Sequence, residues 1–232
     1  MPNALVRAVS DAAVNRLFRS AEVEQVTDPA PGYRIVDLTG EALRDVRWVP
    51  GQKLQLRTDG FTTRTYTPTC WDPERGTTSL LAAVHGAGPG SALVADLQAG
   101  DELRCFGPRG SIDLPKVPGT AVFVGDETSV GLALAWRTLD RPARHCIEAQ
   151  DPTATGTLLR TVGLEADVVV AGDDALASAA LAALTSCPDP HLVLTGRAQS
   201  IRAVRAAVKA ELGPGVASTV KAYWDERRAG LD

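Results

Sequence analysis

The first half of the chain consists of short segments in which apolar and polar residues alternate, separated by turn residues. Turn signals such as Pro50-Gly51 and Asp59-Gly60 recur throughout this half. Frequent turns between short alternating segments are typical of an antiparallel barrel or sandwich. The pattern predicts strands at 21–26, 33–38, 53–57, 64–69, 78–84 and 101–105, and a short helix at 90–98.

After Pro115 the pattern changes to apolar runs that alternate with helical stretches. This alternation is typical of a doubly wound parallel sheet with helices on both faces. We therefore predict a β-barrel domain at 1–115 and an α/β domain at 116–232, joined by the proline-containing linker 114–119. Ligands of open parallel sheets lie beyond the carboxyl ends of the strands, so the cleft between the domains is the expected active site. The predicted strands are 120–124, 144–149, 166–171, 191–195 and 218–223, and the predicted helices are 129–139, 174–185 and 200–212.

Four adjacent residues, Arg64-Thr65-Tyr66-Thr67, supply the groups that a flavin needs. Arg64 would neutralise a pyrophosphate, Tyr66 would offer a flat ring to the isoalloxazine, and Thr67 would place a hydroxyl near its redox nitrogen. Strand alternation puts Arg64 and Tyr66 on one face and Thr65 and Thr67 on the other. An ordinary strand with a surface arginine and a packed tyrosine explains the same residues, so this segment alone leaves both interpretations open.

A glycine-rich loop follows the predicted strand at 78–84 and begins Val84-His85-Gly86. Gly86 and Gly90 allow close backbone approach, and Ser91 lies at the start of the predicted helix, where amide groups and the helix dipole favour an anion. We predict that this loop holds the flavin pyrophosphate. A single histidine at a strand end is more often structural than catalytic, so His85 is expected to be part of the binding loop only.

The predicted strand at 120–124 runs into Gly125-Asp126-Glu127-Thr128. In a dinucleotide-binding fold this first strand-to-helix turn holds phosphate through glycine and helix amides. The usual Gly-x-Gly-x-x-Gly pattern is missing, and two carboxylates oppose a phosphate electrostatically. The turn therefore argues against tight binding of a pyridine nucleotide, and of NADPH in particular.

Basic and aromatic residues follow the last two predicted strands. Arg197, directly after the strand at 191–195, could receive a nucleotide phosphate or an anionic chelate. The basic residues of the next helix, Arg202, Arg205 and Lys209, fit a solvated helix face equally well. Tyr223 and Trp224 are either docked apolar anchors or a cover for the flavin, with Lys221 close enough to meet an anionic substrate.

Composition narrows the possible classes of protein. The 232 residues carry 24 basic and 28 acidic side chains and a net charge of -4, without a basic patch that would suit a nucleic acid. No membrane span or signal peptide is evident, so we expect a cytoplasmic protein, a monomer or a weak dimer. Cys70, Cys105, Cys146 and Cys187 have the spacing of neither a zinc site nor an iron–sulfur cluster, which predicts no resident metal.

Taken together and in order, these motifs resemble the siderophore-interacting proteins of the ferredoxin-reductase-like superfamily. The resemblance rests on the Arg-x-Tyr-Thr segment, the glycine-rich loop, Gly107-Pro108-Arg109-Gly110, the Gly-Asp-Glu-Thr turn and the Tyr-Trp tail. It implies FAD as cofactor, Tyr66 and Thr67 as the residues that tune its ring, and Lys221 and Arg197 as substrate-binding residues. The FAD-binding residues that it implies are Arg64, Thr65, Tyr66, Thr67, Val84, His85, Gly86, Gly90, Ser91, Asp126, Thr128 and Trp224.

The activity that the resemblance implies is reduction of ferric siderophores. NAD(P)H or reduced ferredoxin would supply electrons through FAD to the ferric chelate, and Fe(II) would leave its hard oxygen ligands. Two alternatives remain: a general NAD(P)H flavin reductase or electron-transfer protein, and a non-catalytic flavin- or siderophore-binding protein. The sequence departs from the family at Leu93 or Val94, where a tryptophan is usual, at Gly131, where proline is usual, and at Arg197, where an acid is usual.

Overall fold

Seven antiparallel strands form the first sheet of the computed structural model, which describes residues 18–59, 62–84, 88–172 and 174–227. Their order is β4-β3-β7-β1-β2-β6-β5. The two edge strands are consecutive in the chain and are joined through Thr67 alone, which requires the sheet to curl into a barrel. The strands are β1 Arg19–Ala30, β2 Tyr33–Thr39, β3 Lys53–Asp59, β4 Thr62–Tyr66, β5 Pro68–Asp72, β6 Thr77–Ala83 and β7 Glu102–Arg109.

The single strand predicted at 64–69 is wrong, because the chain changes partner at Thr67. Tyr66 pairs with Leu54 of β3, whereas Pro68 pairs with Leu80 of β6 at the opposite edge of the sheet. Proline has no amide hydrogen for a ladder and is therefore found on edge strands and at their first residue. The alternation of side chains continues through Thr67, so the pattern does not mark this change of partner.

Helix α1, Pro89–Asp96, packs against β3, β4 and β6 of the barrel. Val94 is 1% exposed and packs with Leu38, Leu54 and Leu56 in the barrel core, and Leu93 packs partly against the same core. The position at which the family usually has tryptophan is therefore a packing position in this chain.

Five parallel strands form the second sheet, in the order β10-β9-β8-β11-β12. The chain proceeds outward from β8 through β9 and β10 and then returns to the other side of β8, so the strand order reverses between β8 and β11. The predicted combination of an antiparallel barrel and a doubly wound parallel sheet is confirmed. The strands are β8 Thr120–Asp126, β9 Ala143–Ala149, β10 Asp167–Val170, β11 Pro190–Arg197 and β12 Ser218–Trp224, and the helices are α2 Val130–Arg137, α3 Pro152–Val162, α4 Ala175–Ser186 and α5 Ala198–Leu212.

Apolar residues of both sheets meet in one shared core. Tyr33 and Leu81 of the barrel pack with Val130 of α2 and Leu158 of α3. The Tyr33 hydroxyl and the Thr155 hydroxyl share a buried hydrogen bond of 2.6 Å across this contact. Helices α2 and α3 thus lie on the face of the parallel sheet that meets the barrel.

Helices α4 and α5 pack on the other face of the parallel sheet. Along β8, Val122 and Val124 contact these helices, whereas Ala121 and Phe123 point to the opposite face. The antiparallel sheet ends at Arg109 and the parallel sheet begins at Thr120; a domain boundary at 115/116 stays a prediction. No helix within the described part of the chain is long and apolar enough to cross a membrane.

Candidate functional site

Strand β4 presents Arg64 and Tyr66 to the first turn of α1. The Tyr66 hydroxyl donates to the carbonyl of Gly90 over 3.2 Å. A Cβ atom at Gly90 would lie 3.0 Å from Cγ of Arg64 and 3.1 Å from the Tyr66 hydroxyl, which is closer than ordinary contact. The absence of a side chain at Gly90 therefore lets the helix approach both residues.

This junction fits an anionic group. Helix α1 begins after Gly88 without a side-chain cap on its first amides, and the amides of a first helical turn attract anions. The aliphatic part of the Arg64 side chain packs against Gly90 of the same turn, while its guanidinium donates to the carbonyl of Thr63 over 2.7 Å. A pyrophosphate needs this combination of a cation and amide donors, and Ser91 lies half-buried in the same turn.

Tyr66 remains a neutral hydrogen-bond donor. Burial raises the pKa of its phenol to about 12, and the positive charge of Arg64 offsets part of that rise. Its ring is partly buried against the barrel core, so it presents a fixed flat surface. Thr65 is directed elsewhere, because its hydroxyl accepts from Gln55 of β3 over 3.4 Å.

The rest of the predicted glycine-rich loop is described only in part. The amide of Val84 donates to the carbonyl of Gly32 over 2.7 Å, which fixes the end of β6. His85 and Gly86 lie outside the described residues. Their predicted part in FAD binding stays a prediction.

Thr67 lies where the barrel meets the parallel sheet. The hydroxyl of Tyr223, from β12, lies beside the hydroxyls of Thr67 and Thr195, although it reaches hydrogen-bond geometry with none of the described residues. Burial raises the pKa of Tyr223 to about 12. The contact brings β12 to the segment that was predicted to face the flavin.

Gly131 lies in the first turn of α2, against the crossing between β4 and β5. A Cβ atom there would lie 3.4 Å from the carbonyl oxygen of Thr67, an ordinary van der Waals contact. The structure therefore has room for a side chain at Gly131, and the packing does not explain the departure from proline.

Asp126, at the carboxyl end of β8, is the centre of a buried polar cluster and is 2% exposed. Its Oδ2 accepts from Nε1 of Trp224 over 2.7 Å. Its Oδ1 accepts from the amide of Thr128 over 2.9 Å and also from the Thr128 hydroxyl. Burial raises the pKa of this carboxyl, and the hydrogen bonds from Thr128 and Trp224 offset part of that rise.

The end of β11 packs directly on this carboxyl. Gly196 has a φ of +90°, and a Cβ atom there would lie 2.6 Å from the carboxyl carbon of Asp126. Thr195 donates to the Ser129 hydroxyl over 2.8 Å. Because the Asp126 carboxyl already accepts from the Thr128 amide, this amide is not available to a phosphate. This geometry agrees with the prediction that the two carboxylates of the turn, Asp126 and Glu127, oppose a phosphate.

Glu127 has a structural partner of its own. Its carboxylate accepts from the amide of Gln150, which follows β9. The turn after β8 is thereby joined to the end of β9.

Arg197 lies next to this cluster, at the end of β11. Its guanidinium forms an ion pair of 2.7 Å with Glu226 and lies 6.0 Å from the ring centre of Trp224. Arg202 lies 3.6 Å from Asp225, while Arg205 and Lys209 are exposed. These residues of α5 are thus a solvated helix face, whereas Arg197 is partly enclosed.

Lys221 shares a face of β12 with Tyr223, because the two are separated by one residue on a strand. Its Cα pairs with that of Thr195 in β11. Lys221 is half-buried, on the same face of β12 as the residue that meets Thr67. Its role in binding substrate stays a prediction.

Sequence reasoning missed Glu148, Ser200 and Gln199. Glu148, near the end of β9, is 3% exposed and accepts from the Ser200 hydroxyl. A glutamate in an apolar run at the end of the second parallel strand was the available signal. Within the described residues no group of three or more His, Cys, Asp or Glu side chains could hold a metal ion.

Comparison with known proteins agrees with the barrel half of the site. Residues 51–112 match the family model of the siderophore-interacting FAD-binding domain. This segment contains Arg64, Tyr66, Thr67 and the start of α1, so the resemblance recognised in the sequence is confirmed there. No curated protein sequence matches the chain closely enough to count as a relative.

Solved structures share the fold of the whole chain. A siderophore utilization protein from T. fusca is 23% identical, with 93% of this chain and 95% of that one covered and a TM-score of 0.71. The siderophore-interacting protein SipS from Aeromonas hydrophila is 19% identical, with 93% and 94% covered and a TM-score of 0.67. Phthalate dioxygenase reductase is 18% identical, with 88% and 68% covered and a TM-score of 0.70. The chain has the ferredoxin-reductase-like fold, which together with the family model supports flavin-dependent electron transfer.

Proposed function

We propose that this protein is an FAD-dependent ferric-siderophore reductase that takes electrons from NAD(P)H or ferredoxin. The observation that carries the proposal is the junction of Arg64, Tyr66 and Gly90 within the segment that matches a siderophore-interacting FAD-binding domain. The flavin would accept two electrons or one from the donor and would pass them on one at a time. The proposal places the reductase in the cytoplasm.

The barrel residues have distinct tasks in this proposal. Arg64 and the amides of α1 would hold the pyrophosphate. Tyr66 would support the ring system as a neutral aromatic surface, since burial keeps its phenol protonated. Thr67 would direct its hydroxyl to the redox edge, with Tyr223 behind it.

The parallel-sheet side would close the cleft. Asp126 fixes the indole of Trp224 through the 2.7 Å hydrogen bond, and Thr128 fixes Asp126 in turn. Trp224 would thereby keep one wall of the cleft in place. Lys221, on the same face of β12 as Tyr223, would attract an anionic ferric chelate.

Ferric iron is the substrate and not a resident metal. Reduction to Fe(II) weakens binding by hard oxygen ligands, so the metal leaves the chelate. The protein groups need only bind and orient the chelate, and no proton acceptor on the protein is required for the metal to change its charge.

The test is reduction of different acceptors by the FAD-loaded protein. The protein is supplied with NADH, NADPH or reduced ferredoxin, and Fe(II) is trapped with a ferrous-specific chelator in the presence of hydroxamate or catecholate ferric complexes. We expect Fe(II) to accumulate faster with ferric chelates than the protein reduces added free flavin. Faster reduction of free flavin would identify a general flavin reductase, and a protein that takes up no FAD would contradict the proposal.

Lys221→Ala addresses the substrate side of the same assay. We expect a higher Michaelis constant for an anionic ferric chelate, about tenfold for a lost charge-assisted contact, and unchanged FAD binding. The matched control is Lys209→Ala, an exposed lysine of α5. Equal kinetics for both variants would contradict a role of Lys221 in substrate binding.

A further inference from the structure

A hydroxyl cluster lies between the barrel and the parallel sheet and consists of Thr67, Ser129, Thr195 and Tyr223. Thr67 joins β4 to β5, and Ser129 directly precedes α2. The Thr195 hydroxyl, from β11, donates to the Ser129 hydroxyl over 2.8 Å. A Cβ atom at Gly131, two residues after Ser129, would lie 4.0 Å from Cβ of Thr67. The start of α2 thus brings the parallel sheet next to the crossing between β4 and β5.

Strand alternation directs Tyr223 of β12 into this cluster. Ala222 packs with the core on the α4 and α5 side of the sheet, so its neighbour Tyr223 points to the opposite face, towards α2 and the barrel. Leu194 also packs on the α4 and α5 side, which directs Thr195 to the same face as Tyr223. The hydroxyls of Thr67 and Thr195 accordingly lie on either side of the Tyr223 hydroxyl as its neighbours.

The Tyr223 hydroxyl is the member of the cluster without a fixed partner. Its oxygen is buried and completes no hydrogen bond with any residue that the structure describes, and burial raises the pKa of the phenol to about 12, so the proton stays in place. Thr195 has already given its proton to Ser129 and can only accept from Tyr223. Thr67 can either donate to Tyr223 or accept from it, because a hydroxyl has one donor and two acceptor positions and its hydrogen rotates.

A hydroxyl that faces the redox nitrogen of a flavin has to reverse its direction when the flavin is reduced. The oxidised nitrogen accepts a hydrogen bond, whereas the reduced nitrogen carries a hydrogen and donates one. When Thr67 donates to the oxidised nitrogen, Tyr223 can donate to Thr67. When Thr67 accepts from the reduced nitrogen, it can donate to Tyr223, which then donates to Thr195. Each hydroxyl keeps its own proton and only turns about its C–O bond.

We propose that Tyr223 is a positioning residue that lets the Thr67 hydroxyl reverse its direction with the redox state of the flavin, and that Thr195 ends this chain of hydroxyls. The inference rests on the proposed function, which directs Thr67 to the redox edge. It adds that a residue of the parallel sheet adjusts the potential of a flavin that the barrel holds. Tyr223 acts through Thr67 and needs no contact with the flavin itself.

The two redox states depend on Tyr223 to different degrees. With reduced flavin, loss of the Tyr223 hydroxyl leaves the Thr67 proton without an acceptor in the cluster. With oxidised flavin, the same loss leaves only a lone pair of Thr67 unfilled. Folded proteins tolerate an unfilled lone pair better than a buried donor without a partner. Tyr223 therefore stabilises the reduced state more than the oxidised state and raises the midpoint potential of the flavin.

The experiment measures the midpoint potential of the FAD-loaded protein by equilibration with a reference dye. Tyr223→Phe keeps the ring and removes the hydroxyl. We expect the equilibrium constant for reduction of the bound FAD to fall about tenfold, from one lost hydrogen bond, which is a lowering of about 30 mV for a two-electron couple. Tyr33→Phe is the matched control, because it removes a tyrosine hydroxyl that is also buried between the barrel and the parallel sheet but bonds Thr155. It should leave the potential unchanged.

Two further variants show whether Tyr223 acts through its neighbours. Thr67→Val keeps the branched shape and removes the hydroxyl that Tyr223 positions. In the Thr67→Val background, Tyr223→Phe should cause no further shift, so the two effects should not add. Thr195→Val removes the acceptor of the Tyr223 proton and should also lower the potential, which keeps the test decisive if Tyr223→Phe folds poorly.

Three results would overturn the inference: a potential that Tyr223→Phe leaves unchanged or raises, shifts of Thr67→Val and Tyr223→Phe that add, or a Thr195→Val potential equal to that of the unaltered protein. Its failure is distinguishable from failure of the proposed function. A protein that binds FAD and reduces ferric chelates, but whose potential does not respond to Tyr223→Phe, would keep the reductase function and lose only this role of Tyr223. A protein that takes up no FAD would contradict the proposed function itself.

Discussion

Burial of the Asp126 carboxyl has a measurable consequence for stability. Because burial raises its pKa in the folded protein, the folded state binds more protons than the unfolded state above pH of about 3.9. Stability then falls as pH rises from the unfolded pKa to the folded pKa. Asp126→Asn removes the titrating carboxyl. The free energy of unfolding of the variant minus that of the unaltered protein should therefore increase as pH rises through that window.

Urea unfolding at a series of pH values measures this difference. The slope of this difference against pH should be at most about 1.4 kcal/mol per pH unit. The difference should reach a plateau above the folded pKa. Asp45→Asn, at an exposed aspartate, provides the reference series. A difference between Asp126→Asn and the unaltered protein that does not vary with pH would refute a raised pKa.

Arg64→Ala should weaken FAD binding by about 10- to 100-fold, because a charge-assisted contact to the pyrophosphate is lost. Flavin fluorescence titration of the apoprotein measures the dissociation constant. Arg205→Ala, an exposed arginine of α5, is the matched control. An unchanged dissociation constant would contradict a contact between Arg64 and the pyrophosphate.

Gly196→Ala tests the packing of β11 on Asp126. The alanine would carry a positive φ of +90° and would place its Cβ 2.6 Å from the Asp126 carboxyl carbon. Gly213 has a φ of +81° and a ψ of −178° but no atom within 4 Å of its added Cβ, so Gly213→Ala measures conformational strain without a clash, about 1–3 kcal/mol.

The variant at Gly196 should lose about 1–3 kcal/mol more than the variant at Gly213, since overpacking adds to the strain. Urea unfolding of both variants gives the comparison. Equal losses would mean that the carboxyl moves away freely and that the cluster around Asp126 is not tightly packed.

At the scale of elements, periodicity predicts every strand of the parallel sheet and misses one helix. Helix α3 was not predicted, although Asp151 caps Ala154 over 2.9 Å, Pro152 occupies the first turn and Gly163 follows with a φ of +64°. These are start and stop signals that are readable from sequence. The change of partner at Thr67 is different, because it is decided by closure of the sheet and not by local pattern.

Asp151→Ala measures what the cap of α3 contributes. Loss of its bond to the Ala154 amide should lower the free energy of unfolding by about 1 kcal/mol. Asp174 occupies the same position before α4 but makes no cap bond, so Asp174→Ala should have a smaller effect. Equal effects in denaturant unfolding would show that the cap bond contributes little.

At the scale of the molecule, the shared core makes the two sheets depend on each other. Tyr33 and Leu81 of the barrel are buried by residues of α2 and α3. The sequence predicts both fold halves, because each has its own periodicity. It does not predict the residues that join them, because apolar residues that face another domain have the same pattern as those that face their own core.

Tyr33→Phe tests this dependence. The Thr155 hydroxyl is buried and loses its 2.6 Å partner, so the free energy of unfolding should fall by about 1–3 kcal/mol. In the unaltered protein and the variant alike, release of FAD and loss of helical circular dichroism should share one midpoint. Two separated midpoints would show that the barrel and the parallel sheet unfold independently.

The central claim, a flavin-dependent reductase for ferric siderophores, is tested most directly by a single anaerobic turnover. The FAD-loaded protein is reduced with a stoichiometric donor, mixed with a ferric siderophore, and followed by flavin absorbance and by capture of Fe(II). Because a flavin stores a pair of electrons, the account predicts flavin reoxidation together with about two Fe(II) per flavin. Flavin that stays reduced with ferric siderophores and is reoxidised only when oxygen is admitted would contradict it.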